Sequence, residues 1–207
     1  MSEGMLGKLP LSEIRGPRDD LEEKLSGAQG PMWLRAFKQF LRRENPWGIP
    51  NTIVITTNGR NGEQLIFDLR RQGNTIGRYA EGILYSTLLI VSNGKMYTLV
   101  IIPGDGFVDS QRTNQNIRAA AVARSYQTPP MELAPYLREK FSDEDLEQMG
   151  VRALILMHEP VAGLGGPREV LGVRRHVCSD GLLSYPGRPN HKWPRGIGFV
   201  FLAPASS

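Results

Sequence analysis

The feature that most constrains this 207-residue chain is Val151–Met157, V-R-A-L-I-L-M, apolar at every position but one, which delivers His158 and Glu159 to a stop at Pro160. A run this short, bounded by glycine and proline, reads as a buried strand. Titratable groups at the end of a buried strand are where chemistry can sit, so His158 and Glu159 are the candidates for an enzyme reading. His176, Cys178 and His191 complete the inventory of histidine and cysteine.

These residues complete no known signature. A zinc protease helix needs a second histidine four residues after the first, but Ala162 stands there and Pro160 breaks any helix. Adjacent side chains in a strand also point to opposite faces, which separates His158 from Glu159. His176, Cys178 and His191 are the weak metal candidates, since they offer three ligands without an obvious fourth and match no standard finger spacing. No G-x-S-x-G elbow is present, and Cys178 lacks the flanking pattern of a known nucleophile. Acid–base work would fall to Glu132, Glu139, Glu159 or Asp180, whose convergence sequence cannot show. The expectation is therefore no assigned catalytic residue, no metal and no cofactor.

Along the chain, residues 1–30 read as an extension with one short helix-like piece, Asp19–Leu25. From Pro31 the pattern sharpens: Trp33, Phe37, Phe40 and Leu41 recur on one side, with Arg35, Lys38, Gln39 and Arg42 on the other. That is an amphipathic helix ending at Asn45-Pro46. Thr52–Thr57 is β-branched almost throughout and predicts a strand. Helices follow over 63–72, closing on Gly73, and over 76–84; a helical hairpin packed on the sheet is preferred to a DNA-binding helix-turn-helix, because the second helix offers only Arg78. Asn93-Gly94 between Leu88–Val91 and Met96–Ile102 predicts a β-hairpin. Helices are expected over 113–126 and 131–141, then a short one capped by Ser142 and ended by Gly150. Beyond Gly150, strands are expected over 151–157, 169–177, 182–185 and 199–202.

Three blocks carry a family resemblance. They are Asn45-Pro46-Trp47 with D-L-R-R-Q-G and I-G-R-Y-A-E-G-I-L downstream, E-L-A-P-Y-L-R-E-K-F-S-D-E-D-L-E-Q-M-G at 132–150, and M-H-E-P-V at 157–161 closing with Trp193 and G-F-V-F. In this order they resemble a family of bacterial hypothetical proteins, over residues 32–204. The resemblance implies bacterial origin and one shared architecture, and it assigns no activity. It also implies an apolar residue at the His158 position in some members, which counts against a His-dependent reaction.

Composition, at 40 % hydrophobic and 22 % charged residues, is that of a globular protein. The longest apolar runs fall far short of the roughly 20 residues that span a bilayer, and the single cysteine fits a reducing compartment; the expectation is a cytoplasmic protein without membrane contact. Charge gathers late, with seven Lys and Arg against three Asp and Glu in 151–207.

The fold expected is α+β: a helical N-terminal half around a short sheet over 31–150, then a small antiparallel β-rich module over 151–207, the two together forming one domain or two. The leading function is a non-enzymatic interaction protein. Its recognition loop, 185–198, interleaves Tyr185, Arg188, Lys192, Trp193 and Arg195, residue types that anchor protein interfaces. Trp193 plugging the sheet is the alternative weighed against it. The second reading is nucleic-acid binding through Arg35, Lys38, Arg42 and Arg43 and the basic C-terminal third. The third is a metal-dependent or hydrolytic enzyme at His158 and Glu159.

Overall fold

The structure, a computed structural model, describes residues 11–41, 52–162, 166–175 and 181–204. The chain forms two compact units, Met1–Trp47 and Gly48–Ser207.

In the first unit, helices α1 (Leu11–Ser26) and α2 (Gly30–Leu41) pack on each other. Most of the stretch read as an extension is thus helical. Helix α2 follows the amphipathic pattern: Trp33 and Phe37 are half-buried and Lys38 is exposed. Lys24 Nζ lies 5.1 Å from the Trp33 ring centre, a cation–π contact that joins the helices.

The second unit is built on one sheet. Its elements in chain order are β1 (Ile53–Asn58), α3 (Gly62–Arg71), β2 (Thr75–Ile76), α4 (Arg78–Leu84), β3 (Asn93–Pro103), α5 (Asn114–Val122), α6 (Leu133–Lys140) and α7 (Asp143–Gln148), then β4 (Ala153–Leu156), β5 (Val161–Ala162), β6 (Arg168–Arg174), β7 (Gly181–Pro186) and β8 (Ile197–Leu202). Local chemistry sets the helices. Asn61 and Gln64 form a reciprocal cap at the start of α3, and Ser142 and Asp145 do the same for α7. Helix α3 buries Leu65, Ile66 and Leu69, the stripe its spacing demands. Gly150 follows α7 at φ 69°, a left-handed stop that a side chain would strain.

The strand order is β1-β3-β8-β4-β6-β7-β2, with β5 on the side of β6. Pairings β8–β4 and β7–β2 are parallel, and the others antiparallel. Alternation along the strands divides the interior in two. One face packs Leu154, Leu156, Leu171 and Val200 with the apolar sides of α3, α4, α6 and α7. The other packs Ile155, Met157, Val170 and Phe199 with Ile117 and Ala121 of α5 and with Trp193. Because β4 is covered on both faces, its continuous apolar run has a physical cause. Gly172 sits mid-strand because a Cβ there would come within 2.7 Å of Ile155 Cδ1 and 3.0 Å of the Tyr185 ring.

This architecture corrects the expected fold class. The fold is mixed α/β: among the described residues there are seven α-helices and eight strands, the strands spread through the chain, and one curled sheet takes strands from both halves. No separate antiparallel C-terminal module forms, since β8 pairs with β3 and β7 with β2. The Asn93-Gly94 hairpin is likewise absent. The antiparallel partners of β3 are β1, with Asn58 opposite Asn93, and β8, and Leu88–Val91 forms no strand.

Candidate functional site

Strand β4 delivers His158 to the interior, where it is 1 % exposed. Its Nδ1 lies 2.7 Å from the Glu159 carbonyl oxygen, which can only accept, so Nδ1 carries the proton. Its Nε2 accepts from the Leu171 amide at 2.8 Å. Both ring nitrogens are therefore spent on backbone, and burial pushes the imidazole down to about 4. Arg118 secures the same strand end by donating to the Met157 and His158 carbonyls at 3.0 and 2.6 Å. His158 thus positions the fold at this point; only Glu159, which is exposed, faces outward.

Beyond this strand end lies an open groove of about 660 Å³. Its walls are Leu88, Ile90, Pro129, Pro130, Pro160 and Val161. Ser92, Tyr97 and Glu132 are polar groups in its lining, with the exposed Lys95, Glu159 and Arg168 on the rim. Glu132, 2 % exposed, is the most enclosed charge in it. Its Oε2 accepts from the Ser92 amide at 2.8 Å, and its Oε1 from the Ser92 hydroxyl at 2.6 Å and the Tyr97 hydroxyl at 3.1 Å. Thr57 Oγ1, 2.8 Å from Ser92 Oγ, extends the chain of hydroxyls. Three donors on one carboxylate offset the cost of burying it. Glu132 is thus committed to fixing Ser92.

The rim cations are free of such commitments. Lys95 Nζ lies 4.8 Å from the Tyr97 ring centre, and neither Lys95 nor Arg168 pairs with a carboxylate among the described residues. A second hollow of about 570 Å³ shares Pro160 and Arg168 with the groove and continues past Glu169 to Pro186, Arg188 and Pro189. Glu169 Oε2 is buried in the protein with no partner among the described residues.

Most of the residues singled out from sequence lie away from this groove. Trp193 is 5 % exposed: its ring packs on Phe199, Tyr185 and His191 at centroid distances of 5.6, 5.5 and 4.5 Å, and its Nε1 donates to Asn114 Oδ1 at 2.7 Å. Tyr185 is half-buried, and burial raises its hydroxyl to about 12. Arg188, Lys192 and Arg195 are exposed, and Arg195 donates to Asp109 at 3.0 Å, an arrangement that holds the Asp109 carboxyl below its usual range. The five residues therefore do not present one common surface, and only Arg188 reaches the hollows. His191 is half-buried against Trp193, its imidazole lowered by burial and by Arg188. His176, Cys178, Arg42 and Arg43 lie outside the described residues, as does the side chain of Arg35. Among the described residues no cluster of three His, Cys, Asp or Glu is placed to hold a metal ion, and no helix is long and apolar enough to cross a membrane.

The groove residues that sequence reasoning misses are Leu88, Ile90, Lys95, Pro129, Pro130 and Arg168. Their signals are present but local: Leu88–Val91 reads as a strand, and Pro129-Pro130 as a break between helices. Comparison with protein-family models, curated proteins and solved structures returns no match to this chain.

Proposed function

We propose that this chain is a binding protein whose recognition surface is the proline-walled groove between Leu88 and Ile90 on one side and Pro160, Val161 and Arg168 on the other, continued to Arg188 of the 185–198 loop. One observation carries the reading: a preformed apolar hollow of about 660 Å³ whose rim holds two cations, Lys95 and Arg168, with no carboxylate partner among the described residues. Hollows of this size with few convergent polar groups are what ligand sites look like. The polar groups at its base support binding over acid–base chemistry, since Glu132 and both nitrogens of His158 are engaged within the fold. The ligand that suits it is an apolar group bearing negative charge. A protein is the partner this reading favours, and a reducing, cytoplasmic setting suits a chain with one cysteine.

The test is a titration of the full chain with 8-anilinonaphthalene-1-sulfonate, an apolar anion. Saturable binding is expected, weakened about tenfold, or roughly 1.4 kcal/mol, by Ile90→Glu and also by Lys95→Glu. Dye binding that ignores both substitutions, or no saturable binding by the wild-type chain, rejects the groove as the recognition surface.

A further inference from the structure

Leu88–Val91 is L-L-I-V, a sequence with the composition of a strand interior, yet it pairs with nothing among the described residues. The amides of Ile90 and Val91, and the carbonyls from Leu88 to Val91, make no hydrogen bond with a described residue. Leu88 is 61 % exposed, Ile90 78 % and Val91 39 %. Long apolar segments with unspent backbone groups are a liability that folds usually blunt with charge, proline or a covering element.

Among the described residues nothing blunts this one, and both its ends are held. At one end the Leu89 amide donates to the Ser86 carbonyl at 3.1 Å, and the Leu89 side chain packs on the core beneath α4. At the other, the Ser92 amide is held by Glu132 at 2.8 Å and the Ser92 carbonyl accepts from Gly59 at 3.1 Å. Leu89 turns inward between Leu88 and Ile90, which line the groove; Leu88 belongs to the Ser86–Leu89 turn, and Ile90 and Val91 run on from it exposed. The buried network of Glu132, Ser92, Tyr97 and Thr57 therefore pins the end of an apolar segment in the open.

We propose that Leu88–Val91 is a docking strand, and that its occupant is an extended segment of a partner protein in which apolar and acidic residues alternate. The segment adds alongside by backbone hydrogen bonding, its apolar side chains join Leu88 and Ile90 over the groove, and its carboxylates meet Lys95 and Arg168. Backbone pairing supplies affinity in this mode, and alternate side chains supply specificity. The sign of the charge follows from the two cations: Lys95 and Arg168 lack carboxylate partners among the described residues, whereas Glu132 is saturated by three donors and Glu169 Oε2, next to Arg168, is buried, which leaves Glu159 as the one exposed acid of the lining.

The inference rests on the groove being a binding surface, and the experiment separates the two. The probe is a fluorescein-labelled, capped heptapeptide alternating valine and glutamate, measured by anisotropy against the full chain. Two companions are the same peptide N-methylated at alternate amides and a valine–lysine heptapeptide. The valine–glutamate peptide is expected to bind, and N-methylation to weaken it about tenfold or more. Ile90→Pro should do the same with little change in melting, because the amide it removes has no partner among the described residues; if that variant misfolds, the methylated peptide on wild-type protein decides. Lys95→Glu combined with Arg168→Glu should reverse the preference to the valine–lysine peptide. Binding that survives both N-methylation and Ile90→Pro, or no peptide binding by a chain that still takes up anilinonaphthalene sulfonate, overturns the docking strand and leaves the groove standing. Loss of dye and peptide binding alike removes the groove as well.

Discussion

Trp193 Nε1 donates a 2.7 Å hydrogen bond to Asn114 Oδ1, and the Asn114 amide nitrogen in turn donates to the Pro186 and Arg188 carbonyls at 3.0 and 2.9 Å. One buried asparagine at the start of α5 thus clamps the end of β7 and the loop that carries Trp193. The Trp193 amide donates to the Arg112 carbonyl at 2.9 Å, and the Arg112 guanidinium, itself 2 % exposed, holds the Gly104 and Phe107 carbonyls at 2.8 Å each. The loop is a layer of the fold on this side of the sheet.

Trp193→Ala should therefore cost about 3–5 kcal/mol, as large-to-small substitutions of buried aromatics do. For a unit of this size that lowers the melting temperature by about 10 °C. Trp193→Phe keeps most ring contacts but strands Asn114 Oδ1, at a cost of about 1–3 kcal/mol. Differential scanning calorimetry reads both. An unchanged melting curve for Trp193→Ala would return Trp193 to the surface as a binding anchor.

His158 makes stability depend on pH. Its folded-state value, about 4 against 6.5 for the free group, means that the unfolded chain takes up a proton first as pH falls. Stability is complete above about pH 6.5 and declines from there toward pH 4, by on the order of 3 kcal/mol at the end of the window. Urea unfolding at about pH 7 and about pH 4.5 should show a steeper loss for wild type than for His158→Gln, which cannot titrate. Parallel losses in the two proteins would mean that the imidazole is not held neutral.

The helices from α3 to α7 are legible in the sequence because their determinants are local: the stripe of Leu65, Ile66 and Leu69, the Ser142 cap, and the glycines at 73 and 150. Strands β1, β4 and β6 to β8 are legible as segments for the same reason. Their assembly is not. Leu88–Val91 has the composition of a strand, but its neighbour Ser92 is captured by Glu132, forty residues away, and β3 finds its partner in β1 across two intervening helices. Parallel pairing of β4 with β8 likewise leaves no local trace. Trp193 reads as an anchor because a Pro- and Gly-rich loop looks superficial whether it faces solvent or covers a sheet. The groove is invisible for a related reason: its walls come from separate stretches, near residues 88–97, 128–132 and 158–161, together with Arg168 and Leu202.

Arg60 joins three elements through one side chain. Its Nη1 and Nη2 grip the two Glu139 oxygens at 2.5 and 2.6 Å, Nη1 also reaches Asp68 at 2.9 Å, Nε donates to Asn58 Oδ1 at 2.8 Å, and the guanidinium lies 4.9 Å from the centre of the Tyr136 ring. Side chains of Arg60 and Glu139 are only 18 % and 19 % exposed, so water screens them weakly. The Arg195–Asp109 pair, at 76 % and 67 % exposure, has comparable contact distance and the opposite setting. Double-mutant cycles should show the difference. Arg60 and Glu139 are expected to couple by more than about 1 kcal/mol, above the range of exposed pairs, and Arg60→Lys should not rescue, since a point charge cannot span two carboxylates and an amide oxygen. Arg195 and Asp109 should show no coupling at physiological salt. Equal coupling in the two cycles would mean that burial is not what gives the Arg60 cluster its strength.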